Sequence, residues 1–373
     1  MDVADVEMRL TKDLRLAAAT LSEAEARYLV DEYYLMQKQR IRTANQVRAL
    51  GESVEPHSVI GWLRGQSEIL EGQVRAALNV YAGAKPLGEW AMSVCGVGPV
   101  IAAGLLAHID CRRPTAGHVW RFAGLDSTSH WIGREKAKAL LASLKEECAG
   151  PEDAILEVSR ATGAKPENIR AFATAYGEGK LTWASLEKAA SRCPWNARLK
   201  TLCWKIGESF VKVQANEADV YGKMFVERKA AEWVKNMAGD YRDQAAAALK
   251  VKRFGSDTDA RLWLTGRLTA EAAAEYLRSE KKAGQAKALA GEPGSGVAML
   301  PPAHIHARAR RYAVKLFLAH YWSVGHFLVT GDPGPNPYAL AVLGHAHEMS
   351  PPNMDLVPGY EEAMKKRRAS VGD

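Results

Sequence analysis

The sequence predicts an all-α chain, and three observations lead there. Apolar residues recur at threes, fours and sevens over long stretches, and glycine and proline punctuate those stretches at their ends. No segment shows the two-residue alternation of a half-buried strand. The expected architecture is an N-terminal helical hairpin or coiled coil, then a central helix-hairpin-helix domain, then additional C-terminal helices.

The elements follow in order. Ser22 and Glu25 form an S-x-x-E capping box. Behind it Ala26, Leu29, Tyr33, Met36 and Arg40 lie on one stripe, continued by Ile41, Ala44 and Val47. Gly51 and Pro56 break this helix. A second run places Ile60, Leu63, Leu70, Val74, Leu78 and Tyr81 at helical spacing. Residues 1–85 therefore read as an antiparallel oligomerisation region, whose apolar seam is covered by its own second arm or by another subunit.

A central domain is expected over residues 86–253, with a helical insert at about 150–190. Trp131 to Gly133 reads as a turn before a helix over Glu135 to Glu147. Pro166 opens a later helix, and Gly177 with Gly179 closes it. From Asn196 one long helix is expected to run towards Asn236, with Leu199, Leu202, Ile206, Phe210, Val213, Val220, Met224 and Trp233 inward. Residues 254–302 read as a helix and a linker, because Ser279 to Pro302 is rich in Gly, Pro, Ala and Lys. Residues 303–373 read as an amphipathic helix, a proline-rich tail and a frayed end.

Composition narrows the function classes. The hydrophobic and charged fractions are 47% and 25%, which excludes disorder as the main state. The net charge is +7, which favours an anionic partner. Lys188 to Arg253 holds fourteen Lys or Arg against seven Asp or Glu, an excess equal to that of the whole chain. No uninterrupted apolar run is long enough to span a membrane, and acids stand where a leader would need positive charge. The cysteines are five in number, scattered and without a C-x-x-C pair, so reduced thiols and a cytoplasmic setting are expected.

The stretch "SVCGVGPVIAAGLL" concentrates the chemistry. Glycine at both 96 and 98 permits positive φ and a sharp turn. Pro99 suits the first position of the next helix. Amides at such a helix start favour an anion. Val94, Gly96, Val97, Gly98 and Ala102 fill a hydrophobic–x–Gly–hydrophobic–Gly–x–x–x–Ala pattern. The stretch resembles the helix-hairpin-helix motif of DNA-binding proteins, with Cys95 where proline is frequent.

Together with "HVWRFAGLDST" and "NARLKTLCWKIGESFVK", it also resembles the C-terminal domain of the insertion-sequence transposases that pair a resolvase-like N-terminal domain with a serine-bearing C-terminal one. Ala123, Gly124 and Leu125 match the middle block. Asn196, Leu199 and Lys200 match the last, with Lys in place of Arg. The likeness covers residues 25 to 235 loosely. It implies DNA binding in a mobile-element or phage setting. The four-carboxylate domain has no counterpart, and without clustered carboxylates there is no two-metal cleavage site. About 60 residues intervene before Asn196 as an inserted helical element.

The resulting candidate DNA contacts are Gly96, Val97, Gly98, Arg134, Arg198, Lys200, Lys205, Arg308 and Arg311, with RNA as an alternative partner. Ser127 and Ser129, beside His130 and Arg134, are the candidate nucleophiles of a serine-dependent recombinase acting with a partner protein. A third class is a structural or scaffolding protein. No cofactor is expected, although a divalent metal is open. Six of the ten histidines follow residue 300. Their "HIH" and "HAH" pairs admit metal binding, a polar-aromatic packing layer, or a nucleic-acid face shared with Arg308 and Arg311. Of the ten tryptophans, Trp120, Trp131, Trp195, Trp204 and Trp233 are expected to pack in the core, with base stacking as the alternative at Trp131.

Overall fold

Ser22 and Glu25 make the reciprocal bonds of the capping box. The Ser22 amide donates to Glu25 Oε2 at 2.8 Å, and the Glu25 amide donates to Ser22 Oγ at 3.3 Å. This cap starts the first of two long helices in a computed structural model that describes residues 10–49, 58–126, 130–251, 258–279, 284–335 and 349–369. The chain is all-α: no strand occurs among the described residues. It divides into two compact units, Met1–Lys205 with Leu318–Asp373, and Ile206–Phe317. Those divisions fall inside helices, whereas boundaries drawn from composition fall at 85, 253 and 302.

In the first unit, α1 (Lys12–Ala17) precedes α2 (Glu23–Ala49) and α3 (Ser58–Gly83). The expected break at Gly51 to Pro56 lies outside the described residues. α2 and α3 pack against each other. Arg40 Nε donates to Glu71 Oε2 at 2.6 Å and Nη2 to Oε1 at 3.2 Å, a bidentate pair with the carboxylate nearly buried. The apolar stripe of α3 is only partly covered. Val74, Leu78 and Tyr81 are buried, while Val59, Trp62, Leu63 and Leu70 are each about half exposed.

Next come α4 (Pro86–Ser93), α5 (Pro99–His108) and α6 (Ala116–Phe122). α5 runs through the core, with Val100, Ala102, Ala103, Leu105 and Ala107 all buried. Its small residues let neighbours approach closely. A Cβ at Gly104 would stand 2.7 Å from Leu202 Cδ2, on α11 (Ala197–Val213). The Arg27 guanidinium donates to the Ala107 carbonyl near the end of α5.

Between α6 and α11 lie α7 (Gly133–Glu147), α8 (Ile155–Thr162), α9 (Pro166–Tyr176) and α10 (Trp183–Ser191). They bury a core of their own, including Leu141, Leu144, Ile155, Val158, Ile169 and Leu186. This core takes in α7, which begins upstream of the expected insert at about 150–190.

The second unit contains residues 206–213 of α11, then α12 (Tyr221–Met237), α13 (Arg242–Val251), α14 (Asp259–Leu264), α15 (Ala270–Arg278), α16 (Gln285–Ala288) and residues 302–317 of α17 (Pro302–Thr330). The single helix expected from Asn196 to Asn236 is two helices. Asn216 Oδ1 accepts from the Ala218 amide at 2.9 Å, and Asp219 Oδ1 accepts from the Gly222 amide at 3.0 Å, so local side-chain bonds replace the helical ladder. The apolar periodicity continues across the break and conceals it.

The expected linker over Ser279 to Pro302 is, over 284–302, tied back to residues 263–267 by the amides of Gly291, Gly296 and Met299. Met299 and Leu300 are buried beside Trp263 and Trp233. The Asn236 amide clamps Leu300, donating to its carbonyl at 3.0 Å and accepting from its N–H at 2.8 Å. Gly and Pro set the path of this strap, but its apolar end anchors it.

Back in the first unit, α17 from Leu318 buries Tyr321, Trp322 and Val324. The expected frayed C-terminus is instead helical over α18 (Tyr360–Ala369), with Tyr360 and Met364 buried. Glu361 and Glu362 open it and Lys366, Arg367 and Arg368 close it, the charge order that suits a helix dipole. Residues 370–373 lie outside the described residues.

Candidate nucleic-acid interface

The hairpin at residues 93–99 begins where α4 ends. The Val94 amide donates to Ala91 O at 3.2 Å and the Val97 amide to Val94 O at 2.9 Å, which closes a tight turn. Val94 and Val97 are each 4% exposed and hold the turn to the core. Only Gly96 has positive φ, at +89°. Gly98 is extended, with φ −89° and ψ 176°. The expectation of left-handed backbone at both glycines is thus corrected: one inversion completes the turn, and Gly98 takes a backbone conformation open to other residues. Gly98 is exposed, and a Cβ there would meet nothing within 4 Å.

Pro99 follows at the first position of α5, and no side chain caps that helix. The first-turn amides of Val100 and Ile101 have no acceptor within the helix itself. The C-terminal segment braces the other side of the turn. Asn353 Nδ2 donates to Ser93 O at 3.0 Å and lies 2.9 Å from Ser93 Oγ, while Trp90 Nε1 donates to Pro352 O at 2.8 Å. Sequence reasoning missed Asn353, since nothing in "SPPNMD" signals a partner 260 residues upstream.

The other two blocks of the transposase-like pattern meet at the opposite end of α5, about 15 Å away by helix rise. Each block punctuates a helix. Gly124, with φ +67°, ends α6 in a Schellman motif, in which the Leu125 amide donates to Trp120 O at 2.9 Å and the Gly124 amide to Arg121 O at 3.0 Å. Asn196 caps α11, its Oδ1 accepting from the Leu199 amide at 3.0 Å. The Asn196 amide donates to Phe122 O at 2.8 Å, and Trp195 covers Gly124 so closely that a Cβ would lie 2.7 Å from the ring.

The basic candidates separate into two kinds. Near the Asn196 block, Arg198 pairs with Asp31 at 3.0 Å, Lys200 lies 3.7 Å from the Trp195 ring centroid and Lys205 lies 3.8 Å from that of Tyr34. Arg198 is largely exposed, and so is Arg134 at the start of α7. In the second unit Arg308 is drawn into the interior. It donates to Glu232 Oε2 at 2.7 Å and to Gln244 Oε1 at 3.0 Å, and sits over the Tyr241 ring. The Arg308 charge is therefore engaged by a buried carboxylate, and the charges of Arg308 and Glu232 also act on Arg311 three residues on.

Ser127 and Ser129 lie outside the described residues, as do His345 and His347. Among the described residues no His, Cys, Asp and Glu group could hold a metal. His306 packs edge-on against Phe225, His326 stacks on Trp322 and meets Cys111 O at 2.8 Å, and His320 meets Met349 O at 2.9 Å. His320 and His326 thus make their contacts within the first unit and His306 within the second. Burial pushes the Cys111 and Cys203 thiols up to about 12, so neither is a nucleophile near neutral pH. Of the tryptophans expected in the core, Trp233 is buried, whereas Trp131 and Trp204 are more than half exposed.

His108, at the end of α5, lies 3.4 Å from Asn196 Nδ2. Burial first, then the charges of Arg27 and Arg198, lower its pKa, with Asp31 opposing. A histidine lowered in the folded state binds its proton more readily when unfolded, so stability falls as pH drops from about 6.5, the ordinary histidine value, through the lowered folded one. His108→Gln is expected to flatten that decline in melting temperature, and an unchanged pH profile would refute it.

Among the described residues, no helix is long and apolar enough to cross a membrane. No family model, curated protein or solved structure matches the chain.

Proposed function

We propose that this chain binds duplex DNA, gripping one phosphate backbone with the turn at Gly96 to Pro99 and the start of α5. The observation that carries this reading is the exposed, bare backbone at Gly98 directly before a helix start that no side chain caps, which leaves room for an anion. The surplus of Lys and Arg over residues 188–253 adds sequence-independent attraction. Arg134, Arg198, Lys200 and Lys205 are the outer contacts. The likeness to transposase C-terminal domains agrees with this reading, and the Schellman and N-cap roles of its other two blocks make them supports of the scaffold.

The test exploits the difference between the glycines. Gly98→Glu places a carboxylate at the proposed contact without strain, since its φ is ordinary and its Cβ position is open. Duplex affinity is expected to fall about tenfold, through a lost phosphate contact and added repulsion. Gly98→Ala is expected to bind almost as wild type.

The same protein pairs through α2 and α3. Val59, Trp62, Leu63 and Leu70 continue the stripe that Val74, Leu78 and Tyr81 bury, and they leave an apolar seam open over the first half of α3. Light scattering after size exclusion is expected to give a dimer, and a Leu63→Glu, Leu70→Glu double variant to give half that mass. A monomeric wild type would remove this part of the proposal.

A further inference from the structure

The lobe formed by α7 to α10 has one face unlike the rest. Trp131 leads into α7 with 56% of its surface exposed, yet its indole N–H donates to Ser191 O at 3.0 Å. The next residue, Arg192, lies over the Phe172 ring, 4.3 Å from the centroid. Phe172 stacks on Tyr176 with centroids 6.3 Å apart and planes 18° from parallel. Lys188 lies 5.7 Å from the Tyr176 ring, which is itself 56% exposed. A connected row of rings and cations thus runs from Trp131 to Lys188, with Arg134 three residues beyond Trp131.

Residues 130–192 hold ten Lys or Arg against nine Asp or Glu, so the lobe as a whole is close to neutral. Elsewhere on it Arg170 pairs with Glu152, Arg160 with Glu157 and Lys165 with Glu167. Among the described residues Arg134, Lys188 and Arg192 form no ion pair, a state this row shares with Lys136, Lys138, Lys145 and Lys180 of the same lobe. The indole of Trp131 is oriented by its N–H bond while its ring stays in water, so a ligand that stacks there meets a surface already ordered.

We propose that this face holds unpaired nucleotides, with bases stacked on Trp131 and Tyr176 and phosphates against Arg134, Lys188 and Arg192. Stacking on aromatic rings beside cations is how single strands are bound without sequence preference. A duplex hides its base faces and cannot use the rings. The inference extends the nucleic-acid reading but does not need the hairpin at Gly96.

The test compares the full-length chain with its variants for binding a short oligothymidylate, an oligouridylate and a blunt duplex of equal length at one salt concentration. Trp131→Ala is expected to weaken single-strand binding about 5- to 100-fold, and Tyr176→Ala by a similar factor, with duplex affinity unchanged. Trp131→Phe keeps a ring but loses the N–H bond, and is expected to retain most of the binding. The strand bound more tightly identifies the source as DNA or RNA. If Trp131→Ala does not fold, Tyr176→Ala decides alone, because its ring is exposed. Wild-type single-strand affinity in a folded ring variant overturns the proposal. So does failure to bind either strand, or loss with Arg192→Ala but not with the ring variants, which would mark charge without stacking. None of these outcomes bears on Gly98→Glu and the duplex.

Discussion

Glu232→Ala is expected to lower the stability of the 206–317 unit by about 3 kcal/mol. The carboxylate is 2% exposed and is held from three sides: Arg228 Nη2 at 2.6 Å, Arg308 Nε at 2.7 Å and the Tyr241 hydroxyl at 2.7 Å. Burial resists its ionisation, but the bonds from Tyr241 and Arg308 and the charges of Arg308 and Arg228 prevail and lower its pKa. Removing it strands the Arg308 side chain, which is 24% exposed, and leaves the Tyr241 hydroxyl without that acceptor. Water reaches both arginines in part, which keeps the loss at the lower end of the range for broken buried pairs. Urea denaturation checks this, and a loss below about 1 kcal/mol would place the cluster among ordinary surface pairs. Because a lowered carboxylate stabilises above its unfolded pKa and loses that effect as pH falls through its folded one, the variant is expected to show less acid sensitivity than wild type.

Gly124→Ala is expected to cost about 3 kcal/mol, of which about 1 kcal/mol is the left-handed backbone and the remainder overpacking. The added Cβ would stand 2.7 Å and 2.9 Å from ring atoms of Trp195, with Lys200 Cδ at 3.0 Å behind it. An indole packed between two chain segments cannot yield as the end of a lysine can. Gly133→Ala is the control, since its φ is +78° but a Cβ there meets nothing within 4 Å. It is expected to show the backbone cost alone. Equal melting temperatures for the two variants would mean that Trp195 moves freely and that the α6–α11 junction is loose.

Local signals carried far into this fold. The Ser22–Glu25 box and Pro99 and Pro166 at helix starts each act within a few residues and are found where their chemistry points, while α7 starts at Gly133, inside the expected turn. The errors share one cause, which is that distant partners decide. The 214–220 break is masked by apolar residues that continue in phase on both sides. The strap at 284–302 has the composition of a linker, and only the buried ends at Met299 and Leu300, with the Asn236 clamp 64 residues upstream, make it structure. The C-terminal helix, expected as a frayed end, is held by distant anchors, Tyr360 against Phe327 and Arg367 Nη1 on Gly334 O.

At the candidate site, Gly96 and Pro99 were legible because positive φ and a first-turn proline have few other uses. The extended backbone of Gly98 was not, since an extended glycine with open space beside it looks in sequence like any turn glycine. Arg308 shows the opposite case. Arg308 and Arg311, three residues apart on a helix, share a face in isolation, and nothing local signals that Glu232 on α12 pairs with Arg308.

The most direct measurement is the affinity of the purified chain for a blunt duplex across a salt series, for wild type and Gly98→Glu at matched melting temperature. The account predicts that log affinity falls linearly with log salt for wild type, and that Gly98→Glu binds about tenfold more weakly with a slope shallower by about one contact. Equal affinity and slope for the two proteins, or no duplex binding at low salt, would contradict it and leave the turn at Gly96 as a helix connector.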